Sequence, residues 1–198
     1  MNRRDFCSSV AAATTLTACS LRPAGAAGLR EADRSEAVLA QRLVFDSRFP
    51  ASRQVAAEFV RRGLEATAFD GDVTALWYQD LGPQWTASRL PVAGVTTARA
   101  LLCLEQLARD AWMRVVFRAE HAAGDGLPCG HRVTGKAADV RRVCAALDSD
   151  DDWPTGLALA LATTSADAAP RPSLRLEAGG RWGHDRRSPG LVSWIIGA

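Results

Sequence analysis

Glu120 and His121 stand side by side at the end of an apolar run that begins at Arg114. A carboxylate next to an imidazole can divide the work of general acid and general base, or the imidazole can join carboxylates at a metal. Hydrogen bonding at a strand end accounts for the same pair with no chemistry at all. Upstream, Gly94-Val95-Thr96-Thr97 precedes a helical pattern. Free N–H groups at a helix start, two hydroxyls and a glycine that permits close approach can hold a phosphate or carboxylate. Helix capping by Thr96 or Thr97 is sufficient to explain the threonines. Asp46-Ser47-Arg48, Asp70 and Asp72 follow two other apolar runs, and Asp46 is the carboxylate expected to join Glu120 and His121.

Several specific chemistries fail on spacing. The stretch at Gly94 is neither a Walker A loop nor G-x-G-x-x-G, so no nucleotide or other cofactor is specified. There is no G-x-S-x-G elbow, and Asp46-Ser47-Arg48 lacks the second aspartate of a phosphatase motif. Cys129-Gly130-His131 has metal-ligand residue types without a second cluster. Asp148, Asp150 and Asp152 copy half of a calcium loop, but Trp153 stands where that loop needs glycine and Leu159 where it needs glutamate. No metal site is expected.

The elements that must position these residues follow from apolar periodicity. Leu43-Val44-Phe45 reads as a strand, and Pro50 opens a helix with Val55, Ala56, Phe59 and Val60 on one face. Gly63 suits the left-handed residue that ends it, and 64–69 is the next strand. Asp72 fits an N-cap for a short helix with Leu76 and Trp77, stopped by Gly82-Pro83. Pro91-Val92-Ala93, the turn Gly94 to Thr97, a helix through Trp112 and the run Arg114 to Arg118 repeat the strand, helix, strand unit. On that helix only Leu102 breaks the polar arc, Glu105 and Arg109 are spaced for a pair, and Cys103 is expected to pack as a small residue. Residues 122–132, with three glycines and a proline, read as an irregular loop. Helices over 135–147 and 156–163 follow, then strand candidates Ser173 to Glu177 and Leu191 to Ile196, joined as a long hairpin. The fold class is α/β: a three-layer sheet of about four parallel strands in order 2-1-3-4, flanked by helices, plus a C-terminal strand pair. Ligands bind such sheets at the C-terminal ends of the strands, where the order reverses. That edge collects Asp46, Asp70, Asp72, Gly94, Thr96, Thr97, Arg118, Glu120 and His121.

Composition narrows the class. Hydrophobic residues at 47% and charged ones at 23% describe a globular chain of 198 residues, long enough for one domain and an extension. The net charge is +2 and no basic block is interleaved with aromatics, so nucleic-acid binding is not expected. No apolar run is long enough to span a bilayer.

The N-terminus, Asn2-Arg3-Arg4-Asp5-Phe6 and then the uncharged stretch Cys7 to Ala18, resembles a twin-arginine (Tat) export signal. Paired Arg3 and Arg4 are the residues that the Tat machinery would read. Leu16-Thr17-Ala18-Cys19 is similar to a lipobox, in which Cys19 is acylated. Each methylene of such an anchor buried in the membrane contributes about 0.8 kcal/mol. Ala24-Gly25-Ala26 fits ordinary signal peptidase instead, leaving a soluble periplasmic product; the lipobox is the favoured reading. Residues 1–18 are thus expected to be signal, 19–40 linker and 41–198 a single α/β domain. Cys103, Cys129 and Cys144 remain, and a Cys129 to Cys144 bridge is open outside the cytoplasm.

The domain itself resembles a group of Tat-signal proteins of Proteobacteria through Gly71-Asp72-Val73-Thr74-Ala75-Leu76-Trp77-Tyr78, Gly94 to Thr97, Cys103-Leu104-Glu105 and Arg114 to His121. The resemblance implies export and no mechanism. Three functions remain: a periplasmic, lipid-anchored domain that binds a small anionic ligand or assists an exported partner enzyme; a hydrolase or group-transfer enzyme using Glu120, His121 and Asp46; and a structural envelope lipoprotein.

Overall fold

The computed structural model describes residues 38–124, 127–148, 152–167, 173–179 and 190–198. The readings on Arg3, Arg4 and Cys19 lie outside these residues, as does Asp150. The described chain is a mixed α/β structure around one seven-stranded sheet. Its strands are β1 (Arg42–Asp46), β2 (Glu65–Phe69), β3 (Val92–Thr97), β4 (Arg114–Gly124), β5 (Leu127–Lys136), β6 (Ser173–Gly179) and β7 (Leu191–Gly197), in the order β2-β1-β3-β7-β4-β5-β6.

The 2-1-3 portion is parallel, as the strand and helix alternation requires. Beyond it the expected order 2-1-3-4 is corrected. β7 enters between β3 and β4, antiparallel to both, so β3 and β4 run in the same sense without pairing. Every residue of β7 is buried, which is what a continuous apolar run on a central strand provides. The C-terminal strands do not form a hairpin, because β4 and β5 separate them and β6 lies on the edge. Residues expected to be an irregular loop form the end of β4 and the start of β5, with Gly124 opposite Leu127.

Helices cover both faces. On one side α1 (Pro50–Arg61), α5 (Ala137–Asp148) and α6 (Trp153–Thr163) pack with Leu43, Val95, Phe117, Val133 and Ile195. On the other, α2 (Val73–Leu76), α3 (Gly82–Ala87) and α4 (Ala98–Asp110) pack with Val44, Val92, Trp194 and Ile196. The alternation of β7 between these sets is the two-residue period of a strand. Gly82-Pro83 does not stop the second helix. A π-helical turn, Trp77–Leu81, links α2 to α3, and the Gly82 N–H reaches back to the Trp77 carbonyl. The ladder already breaks register there, so the donor that Pro83 lacks costs little.

α1 ends as its glycine demands: Gly63 has φ +79, its N–H donates to the Val60 carbonyl, and the Leu64 N–H donates to that of Phe59. α4 ends in the same way, but with a tryptophan in the left-handed place. Trp112 has φ 59 and is 78% exposed. Since a Cβ is penalised in that conformation, Trp112→Gly is expected to raise stability by about 0.5–1 kcal/mol. A urea midpoint that falls in the variant would contradict this account of the helix end.

Cys103 is exposed rather than packed, while Cys129 is half-buried and Cys144 buried. All three are free thiols, so the Cys129 to Cys144 bridge does not form here.

Candidate functional site

The sheet register places the candidate residues along one edge. Thr97 of β3 lies opposite Leu191 of β7, Leu191 opposite His121 of β4, and His121 opposite His131 of β5. The C-terminal ends of β1 and β2 finish the same edge with Asp46 and Phe69, which are paired. Strand order reverses between β1 and β3, the place where α/β sheets bind ligands.

At β1 the polar groups are preorganised. Asp46 is fully buried, and its carboxylate accepts two hydrogen bonds from the Arg48 guanidinium, at 2.8 and 2.6 Å, and one from the Arg48 backbone N–H at 3.2 Å. Two parallel donors to a carboxylate fix the planar guanidinium in orientation. The Arg48 side chain remains 52% exposed, and the Asp46 carboxylate beside it pushes its pKa further up. Gly71 makes room for it: a Cβ there would lie 2.3 Å from the guanidinium carbon. Asp70 and Asp72 flank that glycine, and Asp72 caps α2 by accepting from the Thr74 and Ala75 N–H groups. A groove of about 580 Å³ opens here, lined by Ser47, Thr67, Asp70, Asp72, Gln79 and Asp80 among others.

At β3 the expected cradle is absent. Gly94 to Thr97 continue the strand and are not a turn. The space over Gly94 is filled by the Trp194 indole, whose Nε1–H donates to the buried Thr96 hydroxyl at 3.0 Å. Only Thr97 faces the helix start, where its hydroxyl accepts from the Ala100 N–H at 3.2 Å.

At β4 the structure does not bring Glu120 and His121 together. Adjacent residues of a strand point to opposite faces. Glu120 pairs with Arg118 at 2.9 Å and with Arg132 at 3.7 Å. His121 turns to the other face, into the packed layer beneath α6, and Asp46 is engaged with Arg48.

His121 meets different partners from those expected. Its Nε2 lies 2.5 Å from the Ser193 hydroxyl, and its Nδ1 lies 2.7 Å from Nδ1 of His131. Trp153 at the start of α6 stacks on the His121 ring, centroids 4.7 Å apart and planes 22° apart, and leans on His131 at 5.2 Å. All three polar residues are buried. Burial lowers the His121 pKa well below its ordinary value, and the neighbouring His131 lowers it further. Burial likewise lowers His131 to about 4, against the pull of Asp148. Both imidazoles are therefore neutral at pH 7. Cys129 Sγ is 4.0 Å from His131 Nδ1, and burial raises its thiol pKa to about 11, which makes it a poor nucleophile.

Ser193 was hidden from a reading of residue types, because a serine inside Leu191-Val192-Ser193-Trp194-Ile195-Ile196 looks like an interruption of an apolar strand. The pairing of His121 with His131 did have a signal. As a sequence, Asp125-Gly126 is a hairpin dipeptide; on either side of it Gly124 pairs with Leu127, and one bulge then sets His121 opposite His131.

Among the described residues no group of three or more His, Cys, Asp or Glu is placed to hold a metal ion, and no helix is long and apolar enough to cross a membrane. Comparison with protein families, with curated proteins and with solved structures finds no match to this chain.

Proposed function

We propose that this is an exported α/β domain, sent through the Tat route and held at the membrane by lipid on Cys19, that binds a small ligand bearing an anionic group at the C-terminal edge of β1 and β2. The observation that carries the reading is Arg48, a guanidinium locked by a buried carboxylate yet half open to solvent, next in sequence to Ser47, which lines a groove of ligand size. Preorganisation of this kind lowers the entropic cost of holding an anion. Asp70 and Asp72 line the same groove, together with an Asp80 already paired with Arg42, and favour a ligand that also carries a hydroxyl or an ammonium group. The ligand would be presented to, or received from, an exported partner enzyme.

Thermal unfolding with a panel of phosphates, carboxylates and amino acids at 1 mM tests the reading. A ligand present at about 100 times its Kd stabilises by about 2.7 kcal/mol, a rise in Tm of roughly 5–10 °C for a domain of this size. Arg48→Gln should abolish the shift. A panel with no shift, or a shift that survives in Arg48→Gln, sinks the proposal. Export and anchoring are tested separately by fatty-acid labelling in cells, where Cys19→Ala should remove the label.

A further inference from the structure

The buried chain beneath α6 is not used by ligand binding at Arg48, and its order has a chemical meaning of its own. Asp148, at the end of α5, accepts a hydrogen bond from the Gly179 N–H at 2.6 Å. Gly179 abuts the Nε2 and Cδ2 edge of His131, where a Cβ would lie 2.8 Å from Cδ2 and 3.4 Å from Nε2. The Asp148 charge acts on His131, and since the Gly179 that it holds lies at the Nε2 edge of the ring, the His131 proton is assigned to Nε2. A neutral imidazole carries one proton, so Nδ1 of His131 is left as the acceptor. The 2.7 Å contact then requires His121 to donate through Nδ1, and its Nε2, bare, accepts from the Ser193 hydroxyl at 2.5 Å. Each tautomer fixes the next. The end product is a serine whose proton points at a neutral base held in place by a second imidazole, the arrangement that activates a hydroxyl nucleophile.

We propose that Ser193 is a nucleophile for acyl transfer from small esters, with His121 as its base and His131, backed by Asp148, as the positioning group. In the first step the Ser193 oxygen bonds to the ester carbonyl carbon while its proton passes to His121 Nε2. The carbon–oxygen bond to the alcohol then breaks, and the departing alkoxide takes that proton from His121. In the second step water attacks the acyl-serine, again through His121, to release the carboxylic acid and restore the hydroxyl. No oxidant, reductant or metal is required. Ser193 has no exposed surface and Trp153 lies over His121, so Trp153, at the first residue of α6 with no side-chain cap before it, must swing aside to admit a substrate. This proposal is independent of the ligand at Arg48.

Diisopropyl fluorophosphate, followed by peptide mass spectrometry of the full chain, tests it. The probe forms an oxygen–phosphorus bond as fluoride leaves, and small size suits a covered serine. The expected result is an adduct on Ser193, about 100-fold slower in His121→Gln and faster in Trp153→Ala. Trp153→Leu replaces the latter if circular dichroism shows it unfolded. An unlabelled Ser193 in both the wild type and the opened variant overturns the proposal, and so does labelling whose rate ignores His121→Gln.

Discussion

Gly94→Ala is expected to destabilise the domain by about 3 kcal/mol or more, the upper end of what overpacking costs. A Cβ at position 94 would lie 2.1 Å from Trp194 Cζ2 and 2.2 Å from Cε2. Trp194 is fully buried on the central strand, directly opposite Gly94, and its Nε1–H is committed to Thr96. The indole cannot move without losing that hydrogen bond and disturbing the layer under α4. Urea unfolding measures the loss. The double variant Gly94→Ala with Trp194→Leu should recover part of it, because the two residues share one space. A Gly94→Ala protein within about 1 kcal/mol of wild type would contradict the assignment of this glycine to packing.

The second large effect is with pH. Unfolded, His121 and His131 titrate near 6.5; folded, both are lowered, His131 to about 4. Between those values the unfolded chain binds more protons, so stability is complete above about pH 6.5 and is lost as pH falls toward 4. From His131 alone the loss between pH 7 and 4.5 is about 2 kcal/mol by the same linkage, and His121 adds in the same direction. Urea midpoints across that interval provide the measurement. The slope should flatten in His131→Asn; equal slopes in the two proteins would remove the pair as its source.

How much of this was readable from the chain depended on which physical rule was in play. Alternation of strand and helix gave the parallel β2-β1-β3 portion and the edge where Asp46, Thr97 and His121 lie. Apolar periodicity recognises Leu191 to Ile196 as buried but is silent on which strands it separates, so β7 was misplaced. Glycine and proline near Cys129 concealed β5, although Asp125-Gly126 marked the hairpin. Glu120 and His121 show the converse. Neighbours in sequence are on opposite faces of a strand, whereas His131, ten residues from His121, and Ser193, 72 residues from it, meet it through register. The Asp46 and Arg48 pair was visible as residue types, but the room that Gly71 makes for the guanidinium belongs to tertiary packing.

The directed hydrogen-bond chain at the sheet edge is tested most directly by 15N NMR of the imidazoles in the full-length protein, titrated from pH 7.5 to 4.5. Two neutral rings should persist well below pH 6.5, with His121 protonated at Nδ1 and bare at Nε2, and His131 protonated at Nε2 and bare at Nδ1. A His121 ring protonated at Nε2, or either ring titrating near 6.5, would contradict the account.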